Sequence, residues 1–122
     1  SDLPSTKIFC EAMDKYLLNK FPHKCLDVVE NNRTRPDISE IISFIEYSLK
    51  KDSPVAFLNL CNGNEAALEC WHWVTIISCK YDENLDVGEI GIIDQGTVKK
   101  INLLNWYNST TRGGGFVYFL KK

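Results

Sequence analysis

From residue 54 onward the hydrophobic period of the chain changes, and that change restricts the fold more than any other feature. PVAFLNLC at 54–61 is a nearly unbroken apolar run, and CWHWVTIISC at 70–79, EIGIID at 89–94, TVKKI at 97–101 and FVYFL at 116–120 follow it. Short apolar, aromatic and β-branched runs separated by turn residues form strands. The separators are of the right kind. Asn62-Gly63-Asn64 is a loop signal, residues 81–88 make a polar turn, and Gln95-Gly96 is a tight hairpin connection. The first run lacks polar alternation, so it is expected to be a strand buried on both faces. Asn102 can cap a short helix over residues 103–107.

Upstream the period is helical. Ile8, Phe9, Ala12, Met13, Tyr16 and Leu17 form one stripe, which predicts a helix over residues 5–19 that ends at Phe21-Pro22. Residues 25–29 could be a short extended piece but carry no assignable period, and residues 31–36 are turn-like and charged. Asp37 with Glu40 has capping-box spacing and opens a second helix, whose buried stripe is Ile38, Ile41, Ile42, Ile45 and Leu49. Two N-terminal helices followed by a mostly antiparallel sheet of about five strands define an α+β fold.

The chain of 122 residues is one domain's worth, residues 1–122. Its formal charge of -2, with acidic and basic residues interspersed, argues against nucleic acid and against an anionic membrane surface. No run reaches the length of a membrane span, and no signal peptide is visible. The five cysteines are odd in number and include no C-x-x-C, so neither a disulfide framework nor a zinc site is expected. They read as small hydrophobes in a reducing, cytoplasmic setting. Tyr81 to Asn84 with Asp86 lacks the spacing of a calcium loop. Arg112 with three following glycines reads as a mobile loop that could act as a lid.

Two histidines occur. His23 follows Pro22 and is expected on the surface. His72 lies in Trp71-His72-Trp73, where alternation sets it with Val74 and Ile76 on one face and the two tryptophans on the other. A hairpin centred near Glu83 makes His72 and Asp94 direct or diagonal cross-strand neighbours. A carboxylate beside an imidazole fixes its tautomer and stabilises the imidazolium, the base–orienter half of a nucleophilic triad. The plainer alternative is a half-buried strand histidine and a turn-forming Asp94. Asn59, Trp71, Trp73 and Trp106 could wall a cleft beside His72, or simply pack in the core.

The succession of a helix, PVAFLNL, WHWVTII and GIIDQGT resembles the C-terminal portion of papain-like cysteine peptidases, over residues 37–120. The nearest branch is that of the bacterial bacteriocin-processing peptidases. The resemblance implies a papain-like fold and peptide-bond hydrolysis without a cofactor. It makes His72 the general base or imidazolium partner and Asp94 its orienter. The family's nucleophile is a Cys, usually followed by Gly, at the start of a long helix, with a Gln upstream. No Cys-Gly string occurs here, Cys10 falls within its predicted helix, and the only glutamine is Gln95. The nucleophile is therefore expected on a segment upstream of this chain, which alone would be inactive. The implied partner is a peptide or protein substrate, with dimerisation possible through surface that a missing segment would cover. The alternative on the same scaffold is a non-catalytic peptide-binding or structural module.

Overall fold

The computed structural model of the chain describes residues 22–28, 35–84 and 87–120, together with Lys15. The elements in order are β1 (His23–Val28), α1 (Ile38–Lys50), β2 (Val55–Asn59), β3 (His72–Asp82), β4 (Val87–Asp94), β5 (Thr97–Asn102), α2 (Leu103–Ser109) and β6 (Gly114–Phe119). The strands form one six-stranded sheet in the order β1-β6-β2-β3-β4-β5, antiparallel at every pairing.

This corrects the expected architecture. Among the described residues the fold is mostly sheet, one strand precedes α1, and the second helix comes late, between β5 and β6. The helix expected over residues 5–19 lies outside the described residues, apart from helical Lys15. The segment that periodicity left unassigned is the strand β1, HKCLDV. It is short and mixed in polarity, and its partner is the distant β6, from His23 opposite Phe119 to Val28 opposite Gly114. A pairing of that sequence separation leaves no local signature. His23 accordingly opens a strand and is half-buried, its ring 6.5 Å from that of Phe119.

The expected burial of the strands also shifts. β2 alternates, with Val55, Phe57 and Asn59 buried and Ala56 and Leu58 half-buried. β6 is the strand buried on both faces, from Gly114 to Tyr118, and it runs between β1 and β2. Residues 113–115 are therefore no mobile lid. Gly113 has φ +68°, and a Cβ there would overlap the Val28 carbonyl oxygen; a Cβ on Gly114 would overlap that of Leu58. These glycines let neighbouring backbones approach closely.

One face of the sheet carries the core. Phe57 stacks on Phe116 at 4.6 Å between centroids, and Trp106 of α2 meets Phe57 edge-on at 4.9 Å. Val74, Ile76, Ile92 and Ile101 continue that core across β3 to β5. Onto it α1 lays Ile41, Ile42 and Ile45, all buried. Each such isoleucine contributes roughly 1.5–3 kcal/mol relative to exposure. Asp37 stands at the N-cap of α1, but its side chain makes no capping bond and instead accepts from the Ser39 hydroxyl at 3.4 Å. The capping box is thus not formed. Asn102 does cap α2, accepting from the Asn105 amide at 3.0 Å. Gln95 (φ 50°) and Gly96 (φ 82°) make the predicted tight β4–β5 connection, both left-handed as such a turn requires.

Among the described residues no helix is long and apolar enough to cross a membrane. The opposite face of the sheet exposes Trp73, Ile93 and Val98, of which Ile93 and Val98 are directly paired.

Candidate functional site

β3 begins on His72 and β4 ends on Asp94. Thr75 pairs with Ile93, so one more step of the same register sets Asp94 opposite Val74, which makes His72 its diagonal neighbour on the same face. A diagonal pair is within reach of two side chains of this length. The β3–β4 turn lies later than Glu83, since Asp82 pairs with Val87. A bulge between Ile76 and Ser78 then takes back one residue of offset. Together they make the neighbours diagonal rather than direct.

The contact is His72 Nε2 to Asp94 Oδ1 at 2.7 Å. The Asp94 side chain is 6% exposed and that of His72 25%. The second carboxylate oxygen, Oδ2, lies 3.4 Å from Lys99 Nζ. The hydrogen bond from His72 holds the Asp94 carboxyl below the usual carboxylate range against the opposing effect of burial, helped by the charges of His72 and Lys99. An ionised carboxylate can only accept, so Nε2 carries the proton that faces it. In the neutral ring Nδ1 is then the basic nitrogen, and it is the one able to face a reacting group. Both Asp94 oxygens are engaged with side chains, which is more than a turn-forming aspartate needs.

Beneath His72 lies a polar support. Asn59, the last residue of β2, is the direct cross-strand partner of His72 and is fully buried. Its Oδ1 accepts from Trp106 Nε1 at 2.8 Å, and its Nδ2 donates to the Glu69 carbonyl at 2.7 Å. The second bond ties down the loop that leads into Trp71 and His72. Trp106 Nε1 also reaches the Cys61 carbonyl at 2.9 Å, which further accepts from Thr110 Oγ1 at 2.6 Å. Asn59 and Trp106 are thus buried supports of the site and not cleft walls.

The other two cleft candidates separate. Trp71 and Trp73 are both exposed, at 56% and 43%. Trp73 projects from the face opposite His72, as alternation requires. Trp71 has φ +57° and lies under the Arg112 guanidinium, 5.8 Å from the ring centroid. A non-glycine residue held in that region marks a constrained turn. It stands immediately before His72.

The cysteines do not all behave as small buried hydrophobes. Cys25, Cys61, Cys70 and Cys79 are free thiols; Cys70 is exposed and the other three are half-buried. Cys61 Sγ accepts from the Thr111 hydroxyl at 3.3 Å. That bond, with the Thr111 backbone amide, lowers the Cys61 thiol from 9.0 to about 6. Burial, with Glu46 nearby, pushes Cys79 up to about 11. Sequence reasoning missed the activation of Cys61, because its donor is fifty residues downstream. Cys10 lies outside the described residues. Among the described residues no cluster of His, Cys, Asp and Glu could hold a metal ion. At 82–84 the Asp82 carboxylate accepts from the Asn84 amide at 2.9 Å, the bond of a polar turn.

No protein-family model, curated protein or solved structure matches the chain.

Proposed function

We propose that this chain carries the imidazole and carboxylate of a cysteine-peptidase-type hydrolytic site. The reading rests on the 2.7 Å bond between His72 Nε2 and a shielded, ionised Asp94. Asp94 sets the ring so that Nδ1 faces the reacting thiol. His72 takes the thiol proton, keeps the sulfur anionic, and later returns a proton to the leaving amine of a peptide bond. Lys99 shares Asp94 and keeps the carboxylate charged. Asn59 and Trp106 hold the strand ends at which His72 stands. The thiol is assigned to a helix-borne Cys upstream of Ser1, as the resemblance to papain-like peptidases implies.

The test is labelling of the full-length protein with an epoxysuccinyl thiol probe. Labelling is expected, is lost in His72→Gln, and falls at least ~10²-fold in Asp94→Asn. It persists in Cys61→Ser. Equal labelling of wild type and His72→Gln overturns the reading, and loss in Cys61→Ser moves the nucleophile into this chain. A second reading, peptide binding without hydrolysis, draws support from the exposed Trp71 with Arg112 over its ring. It is favoured if the full-length protein binds peptides but His72→Gln changes neither binding nor labelling.

A further inference from the structure

The loop between β2 and β3 carries one cysteine two residues after Asn59 and another two residues before His72. Asn59 pairs with His72, so continuing that antiparallel register by two residues sets Cys61 opposite Cys70. The chain is irregular there, and the Cys70 sulfur meets Asn62, the residue next to Cys61. The Asn62 amide donates to Cys70 Sγ at 3.3 Å, and Cys70 Sγ lies 3.6 Å from Asn62 Oδ1. Asn62 N is bonded to the Cys61 carbonyl carbon, so backbone geometry keeps the Cys70 sulfur within about 6 Å of the Cys61 Cα. The two Cα atoms are then within about 8.5 Å of each other, so a bridge, whose Cα separation is commonly about 4.4–6.8 Å, closes with a shift of at most a few ångströms in the loop. The Cys61 sulfur is held at its own end by the Thr111 hydroxyl, and the Cys70 side chain is open to solvent.

We propose that Cys61 and Cys70 are a reversible redox pair, bridged on exposure to a hydroperoxide, that clamps the loop feeding His72. The Cys61 thiolate attacks one oxygen of the hydroperoxide. The O–O bond breaks, the departing oxygen takes up a proton as water or alcohol, and Cys61 becomes a sulfenic acid. The Cys70 sulfur attacks the sulfenic sulfur, the S–O bond breaks, and the hydroxyl leaves as water with the Cys70 proton. Two thiols have lost two electrons and two protons, and the hydroperoxide has been reduced. Cys61 is suited to the first step, since a thiol lowered to about 6 is ionised at neutral pH. Cys79, pushed up to about 11, is not. The bridge would close the loop that holds Leu68, buried in the core, and Glu69, whose carbonyl accepts from Asn59. Its effect falls on Trp71 and His72, the next residues along.

The experiment is titration of the native, fully reduced chain with hydrogen peroxide at neutral pH, read by thiol counting and by peptide mass after cleavage at Glu65, Glu69 and Lys80. Those cuts separate Cys61 from the peptide that carries Cys70 and Cys79. The expected result is loss of two titratable thiols, a cross-linked peptide pair lighter by two hydrogens, and its return to the reduced masses with dithiothreitol. The cross-link persists in Cys79→Ser and disappears in Cys70→Ser and in Cys61→Ser. A cross-link that survives Cys70→Ser, or oxidation of Cys61 to the sulfinic acid without any cross-link, overturns the proposal. Cys70 is solvent-exposed, so its serine variant retains the fold, and circular dichroism checks that it does.

Discussion

The buried bond between Asn59 and Trp106 makes an asymmetric prediction about its two partners. Both residues are fully buried. The indole N–H has two acceptors, Asn59 Oδ1 at 2.8 Å and the Cys61 carbonyl at 2.9 Å. Replacing Asn59 by Leu therefore leaves the indole satisfied. It removes the donor to the Glu69 carbonyl, but Glu69 is exposed and water can substitute there. The Asn59→Leu variant should lose about 1 kcal/mol, since a net hydrogen bond contributes roughly that much and leucine adds apolar burial. Trp106→Phe is worse. It takes the donor from the fully buried Asn59 Oδ1, which costs about 1–3 kcal/mol, and opens space beside Phe57. The Cys61 carbonyl keeps Thr110 Oγ1, so the penalty centres on Asn59. The expected loss is about 2–4 kcal/mol. In the double variant no orphaned oxygen remains, so it should be more stable than the summed losses predict by at least about 1 kcal/mol. Urea unfolding with a common m-value measures all four proteins, and the Trp106→Phe midpoint should fall by about 1–2 M. Additive losses, or an Asn59→Leu variant less stable than Trp106→Phe, would refute the reasoning.

Three further expectations concern the same region. Asp94 has its folded-state acidity shifted below the ordinary value of 3.8, so its contribution to stability is present above that value and is lost as the pH falls through the lowered one. The stability difference between wild type and Asp94→Asn should therefore be steady just above the carboxylate range and shrink below it; a difference that grows on acidification contradicts the ion-pair geometry. Alkylation by iodoacetamide should rise for Cys61 with a midpoint near pH 6, while Cys79 stays unreactive at neutrality, as mass spectrometry of the modified peptides would report. Preferential labelling of Cys79 would contradict this. Gly114→Ala should lose more than about 2 kcal/mol, because its Cβ meets the Leu58 carbonyl in the middle of the sheet. At Gly96 a Cβ meets open space and only the left-handed φ is strained, so Gly96→Ala should lose about 1 kcal/mol in the same thermal or urea assay; equal losses would mean that β6 and β2 are not so close.

Much of the site was legible in the linear chain because its geometry is local. The β3 and β4 strands are joined by one short turn, and the pairing of His72 with Asp94 follows from alternation and an antiparallel register. A turn placed slightly too early, and a bulge invisible in the residue pattern, account for the difference between direct and diagonal neighbours. The Gln95-Gly96 hairpin and the Asn102 cap were readable for the same reason: each is decided by the chemistry of two to four adjacent residues. The stripe of α1 likewise needed only helical spacing.

What the chain alone did not disclose are the relations between residues far apart. Strand β1 exists because β6, some ninety residues later, offers it an edge. The glycines at 113 and 114 looked like a mobile loop, yet they are where three strands draw together, and no local pattern distinguishes those uses. Whether Trp106 and Asn59 wall a cleft or pack in the core stayed open in the sequence; their mutual hydrogen bond across 47 positions places them in the interior. Cys61 owes its acidity to Thr111 and its neighbour Cys70 to the closing of a loop. Periodicity and turn chemistry are properties of neighbouring residues, so the sequence by itself determined the strands from residue 54 onward, α1 and the His72–Asp94 hairpin. The sheet order, which residues are buried, and the reactivity of the thiols depend on which distant backbones exclude water from one another, and only the tertiary structure decided those.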